Sequence, residues 1–160
     1  MYNSKNIKTP PDVGLTGRVA RFMILPAMLL IAYPHAARAD NQDTIDYREA
    51  IMKQIDAETT ALGLIVSGLI PPDSLGLEAR SLANAAKAAR KAFEPKVPGG
   101  EAKPDVWSKW DDFSKRLDAF SQKADEMAKA AEAGNMNAVT DVIPSLPCKE
   151  CHDLYRNKKQ

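Results

Sequence analysis

The sequence predicts an all-α fold, an antiparallel four-helix bundle, and three observations carry that reading. Beyond Asp40 apolar residues recur at three-four spacing over long stretches, the mark of helices with one buried face. No stretch there alternates apolar and polar residues as a half-buried strand does. Proline and glycine divide the chain into four helical pieces joined by short connections, which suits antiparallel neighbours.

The first piece runs from about Thr44 to Gly68, with Asp43 or Thr44 as its cap and Pro71-Pro72 closing it. Its inward stripe reads Ile45, Arg48, Met52, Ile55, Thr59, Leu62, Val66 and Leu69. Arg48 is odd on such a face, because a buried cation needs a partner. The second piece, about Ser74 to Phe93 with Asp73 as cap, is rich in alanine, which favours helix and lets a neighbour approach closely. Pro95, Pro98, Gly99 and Gly100 make the following segment a loop. The third piece opens at Pro104 and stops at Gly134. It carries the clearest stripe: Trp107, Trp110, Phe113, Leu117, Phe120, Ala124, Met127 and Ala131. Such a stripe is ordinarily core, with Trp107 the member placed to touch a bound group as well. The fourth piece starts near Asn135. Pro144 and Pro147 break it, Ser145 is positioned to cap a new helix, and that helix extends to about Asn157.

The chemistry sits on that last helix. Cys148-Lys149-Glu150-Cys151-His152 has the Cys-x-x-Cys-His spacing of covalent haem attachment and uses every cysteine in the chain. On a helix all three side chains project from one face. Two thiols can then add to the two vinyl groups of a porphyrin, and the imidazole becomes an iron ligand. Three rival readings are weaker. A dithiol redox pair wants a strand nearby, structural zinc wants a fourth ligand, and a disulfide across so short a loop stabilises little.

Residues 1–39 read as a secretory leader: Lys5, Lys8, Arg18 and Arg21, an apolar run from Phe22 to Tyr33 too short to span a bilayer, then Ala37-Arg38-Ala39 as cleavage site. The rival is an uncleaved anchor, which Pro26 within the run disfavours. Cleavage leaves 40–160 as one domain with no stable membrane anchor. It removes five basic residues and one acidic one, so the formal charge goes from +1 to −3. No basic stripe remains for nucleic acid.

Cleavage also removes His35, so His152 becomes the single histidine and bis-histidine ligation is excluded. Of Met52, Met127 and Met136, only Met52 lies on an inward face without completing an aromatic stripe. It is the best candidate for a second, axial ligand, against the alternative that it simply fills core.

These residues resemble the class II cytochromes c, the cytochrome c′ superfamily. The matching features are Tyr47-Arg48 with Met52 four positions on, Pro104-Asp105-Val106-Trp107, the Ala133-Gly134-Asn135 turn, and Tyr155-Arg156 after the attachment motif. The resemblance covers nearly all of 40–160 and implies one covalent haem c. It implies that the position of Met52 faces the distal side of the ring. Methionine there characterises the low-spin, Met/His-ligated branch resembling cytochrome c-556, whereas leucine or phenylalanine leaves iron open. It further implies Arg48 near the propionates and Arg156 near the proximal face; Pro144 and Pro147 depart from the usual continuous fourth helix.

The expectation is therefore a periplasmic electron carrier and no enzyme, since no nucleophile–base pair or paired acid/base carboxylates are evident. Met52 and His152 would face each other across a slot. Its partners would be periplasmic redox proteins, and the class admits a homodimer. The alternative is a five-coordinate gas-binding protein for nitric oxide or carbon monoxide.

Overall fold

A computed structural model describes residues 40–158. The leader assigned to 1–39 lies outside the described residues. Among those described, six α-helices form the architecture: α1 (Asn41–Val66), α2 (Leu75–Phe93), the single turn α3 (Asp105–Ser108), α4 (Trp110–Glu132), α5 (Met136–Val142) and α6 (Cys148–Tyr155). The long helices α1, α2 and α4 and the broken segment α5–α6 are the four members of the expected bundle. None of these helices is long and apolar enough to cross a membrane.

Helix α1 begins earlier than the spacing predicts. Asp40, not Asp43 or Thr44, is its cap: the Asp40 carboxylate accepts from the Asp43 N–H at 2.8 Å. The Asp43 carboxylate in turn accepts from the Asp40 N–H at 3.2 Å. This reciprocal box satisfies two of the orphan donors at a helix start and puts negative charge at the positive end of the dipole. At the other end the helix stops at Val66, so the expected stripe overruns. Leu69 is 70% exposed, while Ile51 and Ile65, absent from that stripe, are buried.

A 3-10 turn, Pro72–Ser74, leads into helix α2; Ser74 holds the cap position of α2 without a side-chain bond, so Asp73 is not the cap. Its buried alanines let it pack closely on α4, which contributes Ala124, Ala128 and Ala131 to the same seam. Around that seam Arg80 bonds Asp125 and Glu132, Lys87 bonds Asp125, and Arg90 pairs with Asp118. Lys129 and Lys87 hold the Asp125 carboxyl well below the usual carboxylate range, and Arg80 lowers that of Glu132. Groups with depressed folded-state pKa contribute their full stability above the unfolded value, about 4, and lose it progressively as pH falls from there through the lower folded-state value. The thermal midpoint should therefore fall below about pH 4, and Asp125→Asn should flatten that fall.

The third piece is not one helix. Lys109 adopts φ −117° and ψ 40°, separating α3 from α4. The break turns Val106 into the core and leaves Trp107 and Trp110 half-buried. From Phe113 to Ala131 the predicted stripe is buried as expected, with Met127 at 1% exposure. Gly134 (φ 73°) ends α4 as predicted. Its N–H donates to the Ala131 carbonyl and that of Asn135 to the Ala130 carbonyl, both at 2.9 Å, the paired bonds of a Schellman stop.

The fourth piece is broken where the prolines predict, between Val142 and Cys148, with a 3-10 turn at Ile143–Ser145. Ser145 does not cap α6: its hydroxyl donates to the Val142 carbonyl. Pro147 takes the cap position of α6. Helix α6 also ends earlier than expected, at Tyr155, because Arg156 is extended and bridges to Ala102.

Candidate haem site

Helices α1, α4 and α6, the end of α2, α3 and the loop before it line a half-open cavity of about 410 Å³. Its walls are mostly apolar, with Ile45, Ile55, Phe93, Phe113, Leu117 and Phe120 among them. Into the same cavity come Met52 and Arg48 from α1, and Cys148, Cys151, His152 and Arg156 from the last helix and its end. The first and last helices of the described chain thus supply the two sets of side chains that the sequence singled out.

Helix α6 is held from several sides. The Tyr155 ring packs edge-on against Phe113 at 5.0 Å, and its hydroxyl donates to the Asp112 carboxylate. Arg116, which also lines the cavity, donates to the same carboxylate at 2.7 Å. Upstream, the Lys123 ammonium donates to the Ser145 carbonyl at 3.0 Å, fixing the approach to Pro147. Cys148 and Cys151 are both free and half-buried. Burial raises the pKa of each thiol. Burial also pushes the His152 imidazole below its ordinary pKa, so it is neutral near pH 7 with a lone pair to donate.

Arg48 is the most unusual group in the site. It is 2% exposed, and burial lowers its pKa. Its guanidinium lies over the rings of Trp107 at 5.0 Å and Phe93 at 5.5 Å, the geometry of a cation–π box. Nη2 donates to the Gly99 carbonyl at 3.4 Å, and Nη1 is buried without a partner. Trp107 itself does not line the cavity. Its indole N–H donates to the Phe93 carbonyl at 3.1 Å, so it stands behind Arg48 rather than at the walls.

The loop segment Gly99–Ala102 lines the cavity too, and sequence reasoning passed over it as a mere connection. Gly99 sits at φ 137°, and a Cβ there would come within 2.5 Å of Ile45 Cδ1. Gly99→Ala should therefore cost about 1–3 kcal/mol of stability, chiefly from the backbone conformation. Denaturant titration of the holoprotein measures this. Arg116 also escaped notice. Its signal was present, three positions after Phe113 and one before Leu117, but a charge at a stripe's edge reads as surface.

The residues present fit a covalently held porphyrin. Two free thiols three positions apart, a neutral imidazole and an apolar cavity supply attachment, ligation and enclosure. The orphaned Nη1 of Arg48 is a donor awaiting an acid group. Among the described residues no group of three or more His, Cys, Asp or Glu side chains gathers closely enough to hold a metal ion by itself.

The family description "Cytochrome C′" matches residues 43–156. The chain belongs to the cytochrome c′ family. Like other members it carries one covalently bound haem c, and it has a single Cys-x-x-Cys-His motif consistent with that. A cytochrome c′ from Alcaligenes xylosoxydans is 31% identical over 125 residues, covering 76% of this chain and 98% of that one. A cytochrome c-556 from Agrobacterium tumefaciens (strain apple 185) is 36% identical over 121 residues, covering 72% and 96%. Among solved structures, ferric cytochrome c prime from Alcaligenes xylosoxidans superposes with a TM-score of 0.70 at 26% identity, covering 76% of this chain and 98% of that one. The matched cytochrome c′ relatives thus include proteins named both c′ and c-556.

Proposed function

We propose that this cytochrome c′ family member is an exported electron carrier. In this reading Cys148 and Cys151 hold the haem c by thioethers, and His152 and Met52 ligate its iron. The supporting observation is that Met52, near the start of the described chain, lines the same cavity as both thiols and His152. Held by these residues, the group would supply an iron centre that gains and loses one electron, and the Met52 thioether would favour its reduced state.

The chain's own tasks follow from its geometry. Burial keeps His152 neutral and available as a donor. Arg48, clamped between Phe93 and Trp107, offers its free Nη1 to a propionate. Arg156 stands beside His152 at the proximal end, where its charge disfavours a protonated imidazole. The aromatic and aliphatic walls would cover much of the ring's apolar surface. Residues 1–39 act as the cleaved export leader, the compartment is the periplasm, and the partners are other redox proteins there. A homodimer is compatible with this role, and no enzymatic step is assigned to the chain.

A second reading is favoured by the names of the relatives, several of which are cytochromes c′. One of the similar solved structures is a nitric oxide complex of a mutant cytochrome c prime from Alcaligenes xylosoxidans. In that reading Met52 stays off the iron and the chain binds small gases. The absorption spectrum of the purified oxidised protein at neutral pH separates the two. A low-spin spectrum is the expected result for the electron carrier; a high-spin one removes it and leaves the gas-binding role.

A further inference from the structure

The geometry points to the loop segment Gly99–Lys103 as a strap that fixes α6 against α1 across the cavity, with Lys103 as its positioning residue. The inference rests on the reading that Met52 and His152 ligate one iron from opposite helices. Helices α1 and α6 both line the cavity but pack little on each other, so something else must set their separation.

At one end the strap is bonded to α6. The Lys103 N–H donates to the Tyr155 carbonyl at 2.9 Å, and the Asn157 N–H donates to the Glu101 carbonyl at 2.8 Å. The Lys103 ammonium donates to the carbonyls of Asp153 at 3.0 Å and Leu154 at 3.1 Å. These are orphan acceptors of the last helical turn, at the negative end of its dipole, where a cation is most favourable. At its other end the strap lies on α1. The Gly99 carbonyl accepts from Arg48, and Gly99 and Gly100 approach so closely that a Cβ on either would meet Ile45 within 3 Å. Arg48 is one helical turn before Met52, and Tyr155 is three residues after His152. One short segment therefore grips both helices within a turn of the two candidate ligands. A lysine at position 103 thereby acts on the iron site without touching it, by limiting how far His152's helix can drift from Met52.

The test uses the holoprotein with Lys103→Met, which keeps the aliphatic stem, and Lys103→Arg, which keeps the charge. Hydrogen exchange read by mass spectrometry reports the strap directly, and carbon monoxide binding by the reduced protein reports the iron site. Lys103→Met should speed exchange in peptides covering 99–103 and 153–158 by about tenfold, with α2 and α4 unchanged. It should also raise the carbon monoxide association rate by about tenfold, equivalent to about 1.4 kcal/mol in barrier. Lys103→Arg should restore both toward wild type. Unchanged exchange in Lys103→Met overturns Lys103 as the residue that positions α6. Faster exchange with an unaltered carbon monoxide rate upholds the strap and counts against Met52 as the group it holds in place.

Discussion

Replacing Met52 by leucine should convert a low-spin absorption spectrum into a high-spin one and tighten carbon monoxide binding by about 100-fold. The magnitude follows from competition for one position. If the thioether occupies the iron in about 99% of molecules, a gas sees only the remaining fraction, and removing the competitor restores full affinity. Leucine is close to methionine in volume, so the fold should change little; swaps of this kind usually cost less than about 1.5 kcal/mol. Met52 is only partly buried against the core, which keeps that cost low. The reduction potential should fall in the same variant, because the ligand that favours ferrous iron is gone. A spectrum and affinity identical to wild type would show that Met52 never bound iron, and the gas-binding reading would then stand.

The second large effect is expected from Cys148→Ala combined with Cys151→Ala. Covalent haem, visible after denaturing electrophoresis, should disappear completely. Stability should fall as well, because a cavity of about 410 Å³ would lack a permanently attached occupant. The cavity is half open, so water would replace the porphyrin and the apolar walls would lose the contacts its faces make. The emptied site should therefore collapse or loosen rather than persist, lowering the thermal midpoint and helical signal of the variant. Added haem should bind it reversibly through His152 and Met52 and recover part of the lost stability. A haem-staining band in the double variant would refute the thioether assignment.

Much of the arrangement was legible in the sequence because local chemistry and burial agreed. The attachment motif is fixed by the reaction it must support. The stripe from Phe113 to Ala131 is long enough for its period to be unambiguous, and Met127 fell correctly into the core. Arg48 announced itself as a charge on an apolar face, and its free Nη1 is the structural counterpart of that anomaly. Other features left little trace. The break at Lys109 has no proline or glycine to mark it and depends on how Val106 and Phe113 pack. Trp107 kept the helical spacing of its stripe, yet the break rotated it behind Arg48 and away from the cavity. Asp40 was hidden as a cap because Asp43 and Thr44, themselves favoured cap types, stand three and four positions further on. The strap was invisible for a different reason. Its bonds all end on backbone carbonyls, and no side-chain pattern encodes which carbonyl a donor will find.

The brevity of α6 has a consequence for biogenesis. At eight residues it is well short of the roughly 12–15 that an isolated helix needs to persist in water. Its winding is lent by Tyr155 on Phe113 and by the carbonyls that Lys103 holds. Before those neighbours assemble, the stretch after Pro147 is an open peptide, and both sulfurs lie within reach of whatever machinery joins them to the macrocycle. Closure of the bundle half-buries Cys148 and Cys151, so attachment is expected to go faster on the open peptide than on the folded chain.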